Sequence, residues 1–315
     1  MNDIHKVSDK FDFILYADDT SLVQPLCTFY APIENNLNRV SSNINKELQE
    51  ISDWLSVNKL SLNVKKTKMM LFHYRQKNIK SLIPNLKINK APIELVKDFN
   101  FLGITLDECM TWNAHVSKIS SKLACAIGTF KRMKRFLPSS ILKTLYSALF
   151  LPYLHYGILL WGLNAKRIPR LQKFAVRAFS NSKYNAHTDP ILKSHSLLKV
   201  TDIYKLNTLK FYYKYKNNTL PVYFRNILEP VQPPSHNHVT RQRNMPRPAQ
   251  PNTASAKKTI RYSIPDILSQ TPACITDKVF THSLQGYSNY IKRIMLGQYE
   301  DTCMIHNCYI CNLTS

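Results

Sequence analysis

Asp18 and Asp19 are adjacent carboxylates set between two apolar, β-favouring runs, Asp12-Phe13-Ile14-Leu15-Tyr16 and Thr20-Ser21-Leu22-Val23. The alternation predicts a hairpin with Ala17-Asp18-Asp19 as its turn. Two carboxylates held side by side repel each other unless cations lie between them. Their oxygen donors suit a hard divalent ion such as Mg²⁺, which keeps water and substrate phosphates in its remaining positions. Phosphoryl transfer uses two such ions, one on the attacking oxygen and one on the leaving oxygens. A solvated turn is the alternative reading, and the flanking strands are what raise the pair above it.

Two further groups of residues could carry chemistry. Between Cys109 and Thr188 there are 13 basic residues and no acidic one. Among them, Lys118, Lys122, Lys131, Arg132, Lys134 and Arg135 surround an apolar stripe of Val116, Ile119, Leu123, Ile127 and Phe130. A phosphate backbone lying there meets no repulsion and can release its counterions. Near the other end, Cys303, His306, Cys308 and Cys311 offer four soft donors within nine residues, enough in number for Zn²⁺. The single residue between His306 and Cys308 makes that spacing cramped, so surface thiols are the competing reading. Cys27, Cys109, Cys125 and Cys274 stand in apolar surroundings and are expected as reduced core residues.

The elements that must position these groups follow from periodicity. Ile33, Leu37, Val40, Ile44, Leu48, Ile51 and Leu55 recur in steps of four and three, which predicts a helix opened by Pro32 and closed near Asn58. Strands are expected at 68–72 and at 99–106, the latter broken by Gly103. Beyond Thr111 the pattern turns helical, with helices expected at 139–160, 168–179, 191–198, 202–216 and 275–300. Residues 144–165 carry no charge and are long enough to span a membrane, but Pro152 and Gly157 interrupt them. A buried, broken helix in a helical bundle is therefore expected, with no membrane partner. Residues 221–258 carry seven prolines among polar and basic residues and read as a linker.

Composition agrees with a nucleic-acid partner. The 315 residues hold 43 Lys and Arg against 20 Asp and Glu, a formal net charge of +23. Residues 1–108 are nearly balanced, with 14 basic and 13 acidic side chains, whereas residues 109–315 hold 29 and 7. Hydrophobic residues at 44% exclude a wholly disordered chain. The start Met1-Asn2-Asp3-Ile4-His5 has neither a basic region nor an apolar one. A protein that is not secreted, lying in the nucleus or cytoplasm, is expected.

The ordered motifs resemble a known family. Asn2-Asp3-Ile4, then Phe13-Ile14-Leu15-Tyr16-Ala17-Asp18-Asp19-Thr20-Ser21-Leu22, then Leu60-Ser61-Leu62-Asn63-Val64-Lys65-Lys66-Thr67-Lys68 are similar to the second half of the palm of a non-LTR (LINE-class, jockey-like) retrotransposon reverse transcriptase. Phe101-Leu102-Gly103-Ile104-Thr105-Leu106-Asp107, followed by Trp112 and His115, resembles that family's primer-grip hairpin and the start of its thumb. Leu145-Tyr146-Ser147-Ala148-Leu149, Pro152, Tyr156-Gly157 and Trp161-Gly162 match its next helical block, and similarity runs on through Leu171-Gln172-Lys173 to Leu220-Pro221.

The resemblance implies an α+β fold. Residues 1–108 correspond to half a palm, an antiparallel sheet with a packed helix, ending in the primer-grip hairpin. Residues 109–220 correspond to a mainly α-helical basic thumb, 221–258 to the linker, and 259–315 to a C-terminal helical segment with the Cys/His tail. It also implies roles. Asp18 and Asp19 become ligands of Mg²⁺ or Mn²⁺, while Tyr16 and Ala17 lie beside the primer end and incoming nucleotide. Lys66 is either a proton donor to pyrophosphate or a solvated lysine. Phe101, Leu102 and Gly103 grip the primer, and the partners are an RNA template and a DNA primer. The family's third palm carboxylate, its template-orienting Gln-Gly segment and its fingers have no counterpart here. The expectation is thus a fragment of an RNA-directed DNA polymerase, inactive alone. The alternative is a nucleic-acid-binding protein derived from the thumb that has lost catalysis.

Overall fold

A computed structural model describes residues 3–24, 37–75, 84–225 and 256–299. The chain divides into two compact units, Met1–Met110 and Thr111–Ser315. The first mixes short strands with one long helix and the second is helical, so the architecture is α+β.

In the first unit the helical stripe forms α1 (Leu37–Val57). Its apolar face carries Ile44, Leu48, Ile51 and Leu55, all nearly inaccessible to solvent. Ile51 and Leu55 pack with Ile4 against Phe11, Phe13 and Leu22, while Ile44 and Leu48 pack with Ile88 against Leu62, Val64, Leu86 and Ile93. Helix α1 ends as expected beside Asn58, whose side-chain amide donates to the Trp54 carbonyl (2.8 Å). Glu47 is buried on α1 and accepts from the Ser8 hydroxyl and the Lys10 ammonium, tying the segment before the first strand to the helix. Those two donors hold the Glu47 carboxyl below the usual carboxylate range, with Lys10 the larger cause.

The strands depart from the single antiparallel sheet expected. They form four two-stranded ribbons: β1 (Asp12–Tyr16) with β2 (Asp19–Val23), β3 (Lys68–Met69) with β6 (Glu94–Leu95), β4 (Lys87–Ile88) with β5 (Ala91–Pro92), and β7 (Asp98–Phe101) with β8 (Ile104–Asp107). The β3–β6 pair is parallel. Three of the four are closed by two-residue turns, so their pairing is local and each ribbon stops at its own hairpin. The strand expected at 68–72 shrinks to two residues, because only Lys68 and Met69 find ladder partners.

The second unit is built from α2 (Asn113–Met133), α3 (Ser139–Leu149), α4 (Leu151–His155), α5 (Ile158–Trp161), α6 (Ile168–Phe179), α7 (Thr188–Ser194), α8 (Val200–Lys216), α9 (Val222–Arg225), α10 (Ile260–Gln270), α11 (Ala273–Thr276) and α12 (Leu284–Gly297). The broken helix expected over 139–160 is three helices. Pro152 lies in the first turn of α4 and cannot continue α3, and Gly157 at φ 62° turns the chain between α4 and α5. Among the described residues no helix is long and apolar enough to cross a membrane. The expected 191–198 helix is displaced to Thr188–Ser194, leaving Leu197 and Leu198 to fill the core from a loop. The expected 275–300 helix breaks before Ser283, whose hydroxyl caps α12 by accepting from the Gly286 amide (3.2 Å).

Tyr146, Phe150, Phe130 and Phe179 form the aromatic centre of this unit, with Tyr146 and Phe150 stacked at 4.9 Å. Gln172 on α6 is the buried polar hub. Its amide donates to the Leu198 carbonyl (2.8 Å) and the Tyr146 hydroxyl (3.2 Å), and its carbonyl accepts from the Val200 amide (2.8 Å). This hub joins α3, α6 and the entry to α8, where an unpaired backbone group is costly.

Candidate functional site

The acidic pair stands at the tip of the β1–β2 hairpin. Tyr16 pairs with Asp19, so the turn is the two residues Ala17 and Asp18, and Asp19 already belongs to β2 rather than to the expected three-residue turn. Strand alternation puts Phe13 on the face that packs toward α1 and places Ile14 and Tyr16 on the other, with Ser21 and Asp19 opposite them. Tyr16 is 62% exposed, and Asp18 and Asp19 are exposed as well. Ala17 takes φ 53°, a left-handed conformation that favours glycine. A two-residue hairpin turn needs positive φ at a central residue, so Ala17 carries the strain of this tip.

Lys66 lies in a turn after Leu62 and Val64, which anchor that segment in the core beside Leu22. The Lys66 amide donates to the Asn63 carbonyl (3.0 Å) and side-chain oxygen (3.2 Å), and its side chain is exposed. Phe101 ends β7, and Leu102 and Gly103 form the whole β7–β8 turn at φ 47° and 80°. Positive φ at both central residues is the type I′ signature that matches strand twist. Gly103 is the residue this turn needs, and Leu102 beside it carries the strain.

The cations of α2 do not form one stripe. At 3.6 residues per turn, Lys118, Lys122 and Arg132 fall within about 80° of one another, whereas Lys131 lies about 180° from Lys122. Lys118, Lys122, Lys131, Arg132 and Arg135 are exposed, and Lys134, which caps the helix, is half-buried. Lys122 also sits over the Tyr153 ring, 5.1 Å from its centroid. Cations in and after the last turn also complement the helix dipole, a structural role open to Lys131, Arg132 and Lys134. Burial, with Lys118 and Lys122 adding to it, holds the His115 imidazole below its usual value, so it adds no charge near neutral pH. Among the described residues none of the 13 basic side chains from Lys118 to Lys183 takes part in a salt bridge.

One cluster has no counterpart in the sequence reading. His73, Glu108 and Cys109 bring an imidazole nitrogen, a carboxylate oxygen and a thiol within 4.8 Å of one another. The 35-residue separation between His73 and Glu108 gives no local motif, which is why periodicity and spacing missed it. Cys109 is half-buried beside charged groups rather than in an apolar core, and Cys125 and Cys274 are exposed, so all three depart from the core placement expected. Cys27 and the tail residues Cys303, His306, Cys308 and Cys311 lie outside the described residues.

Comparison with known proteins finds relatives of this sequence. The chain is 23% identical over 215 residues to the RNA-directed DNA polymerase from mobile element jockey of Drosophila melanogaster. It is 22% identical over 160 residues to a probable RNA-directed DNA polymerase from transposon X-element of the same species. The chain is similar to non-LTR retrotransposon RNA-directed DNA polymerases. The matches cover 65% and 48% of this chain but only 22% and 17% of those polymerases, so the likeness spans a minor part of either. No family model and no solved structure matches.

Polymerase relatives imply a divalent metal, and the hairpin tip can be tested for it. Asp18 and Asp19 supply hard carboxylate oxygens that are open to solvent, the donor type Mg²⁺ prefers when it retains water and phosphate ligands. Among the described residues no third His, Cys, Asp or Glu joins them in a three-ligand group. The pair therefore fits an ion that takes its other ligands from elsewhere.

Proposed function

We propose that this chain carries the second half of the palm and the thumb of a non-LTR retrotransposon reverse transcriptase, with Asp18 and Asp19 as ligands of the catalytic Mg²⁺ ions. The observation that carries the reading is the exposed acidic pair at a strained two-residue hairpin tip directly after Tyr16. When bound, the ions supply charge neutralisation at the primer 3′-oxygen and the leaving pyrophosphate. Tyr16 offers a flat, exposed ring beside the pair for the primer end. The β7–β8 tip at Leu102 and Gly103 presents backbone to a primer strand, and Lys66 offers an exposed ammonium within the same unit.

The basic helix α2 fits backbone tracking on the RNA–DNA duplex, since phosphate contacts hold register without reading sequence. With only two carboxylates gathered among the described residues, the chain by itself is expected not to extend a primer. Metal binding is the direct test. Mn²⁺ bound to the full chain, followed by water-proton relaxation, should be lost in the Asp18→Asn/Asp19→Asn double variant, while both proteins keep the same urea midpoint. Mn²⁺ binding that is equal in the two proteins refutes the assignment.

The uninterrupted basic stretch supports a second reading, in which the chain binds nucleic acid without catalysing anything. The two separate on whether Asp18 and Asp19 matter. Under the second reading the double variant binds duplex as the parent does, and Mg²⁺ changes nothing at the hairpin.

A further inference from the structure

We propose that His73, Glu108 and Cys109 form a Zn²⁺ site that pins the segment after β3 to the end of the β7–β8 hairpin, a site independent of the polymerase reading.

The backbone builds the site before any ion arrives. The His73 amide donates to the Glu108 carbonyl (3.0 Å), and the Glu108 amide donates to the Lys97 carbonyl (2.9 Å). The Met110 amide closes a turn on the Asp107 carbonyl (2.8 Å), which sets Glu108 and Cys109 at its centre. Side-chain hydrogen bonding then decides which imidazole nitrogen faces inward. His73 Nδ1 donates to the Tyr74 carbonyl (2.9 Å), so Nε2 is the nitrogen left to face inward. That Nε2 is shielded from solvent and has no hydrogen-bond partner. It faces the Glu108 carboxylate at 3.7 Å, and the His73 side chain is only 11% exposed. In the neutral ring this Nε2 is a buried acceptor without a donor, an expense that a bound cation removes; in the charged ring the cation would replace the proton that pairs it with Glu108.

Distances and donor types select the ion. Two light-atom ligands of a tetrahedral zinc stand about 3.4 Å apart, given metal–ligand distances near 2.0–2.1 Å. The observed 3.7 Å needs only a small inward movement of a carboxylate that is still 30% exposed. Imidazole and thiolate are the wrong donors for Mg²⁺ and suit zinc. Charge also balances, because a thiolate and a carboxylate together neutralise Zn²⁺. Three protein ligands leave a fourth position for water, reached past the partly open Glu108 side chain.

A Cys-His-Glu nucleophilic triad is the competing use of these residues. A triad needs one ring nitrogen for the thiol and the other for the acid. Here Nδ1 is taken by the Tyr74 carbonyl and Nε2 faces the Glu108 carboxylate, so no ring nitrogen is left over for the thiol. Burial and the Glu108 and Asp107 carboxylates also push the Cys109 thiol up, against nucleophilic use.

The test uses the full chain with Cys303→Ser, Cys308→Ser and Cys311→Ser, which removes the thiols of the Cys/His tail. Titration with Co²⁺ is expected to produce a sulfur-to-cobalt charge-transfer band at one equivalent, which Zn²⁺ abolishes by displacement. Cys109→Ala should eliminate the band. His73→Gln should weaken Co²⁺ binding by about 100-fold or more, beyond what loss of a ligand's hydrogen-bond partner costs. Circular dichroism of the metal-free proteins reports folding. No band in the parent, a band that survives Cys109→Ala, or unchanged affinity in His73→Gln overturns the site, and His73→Gln decides alone if Cys109→Ala does not fold.

Discussion

The three cations on one flank of α2 give the sharpest prediction. Lys118, Lys122 and Arg132 are exposed, share a face and have no carboxylate partner among the described residues, so each is placed to meet a phosphate. Each phosphate contact contributes about 0.9 to the slope of log affinity against log salt. Replacing all three by Gln should therefore make that slope shallower by about 2.7. A fourfold rise in salt would then weaken the parent by roughly 40-fold more than it weakens the variant. Fluorescence anisotropy with a labelled RNA–DNA duplex measures both across about 50 to 200 mM salt. Lys131→Gln is the internal control, because helix geometry puts Lys131 on the side away from Lys122. An unchanged slope in the triple variant, or a loss in Lys131→Gln equal to that of any flank cation, would refute the argument that this face of α2 tracks the backbone.

Ala17→Gly should stabilise the first unit by about 0.5–1 kcal/mol, because relief of the left-handed alanine exceeds the entropy glycine adds to the unfolded chain; urea unfolding checks the sign. Glu47→Gln should destabilise by about 1–2 kcal/mol near neutral pH, having lost a buried, charge-assisted acceptor. Because folding lowers the Glu47 carboxyl, its contribution is complete above the usual glutamate value of about 4.3 and fades as pH falls through the depressed one, so the gap between parent and variant should close in acid. A gap that widens below pH 4 contradicts that sign. Gln172→Leu should cost about 3 kcal/mol by leaving the Val200 amide and the Leu198 carbonyl unpaired, read as a lowered melting temperature.

Local pattern determined what local physics controls. The β1–β2 hairpin, the α1 stripe with its end at Asn58, and the apolar face of α2 all lie in periodicities of two or 3.6, and each appears where the residues put it. The breaks inside 139–160 are signalled too, since Pro152 and Gly157 stand there and interrupt the helix where they fall. The acidic pair was legible for the same reason: its chemistry and its turn are contiguous.

Tertiary structure decided what depends on residues distant in sequence. The parallel β3–β6 pair joins positions 26 apart, and no pattern within either two-residue strand specifies the other. The Gln172 hub needs Tyr146 and Val200 brought to one side of α6, and the His73, Glu108 and Cys109 group needs two loops to converge. Sequence distributes charge along the chain, whereas only the helix phase separates Lys131 from Lys118, Lys122 and Arg132. Side-chain type is written residue by residue. Proximity is set by packing that buries the intervening apolar surface, and it becomes readable only once the chain has folded.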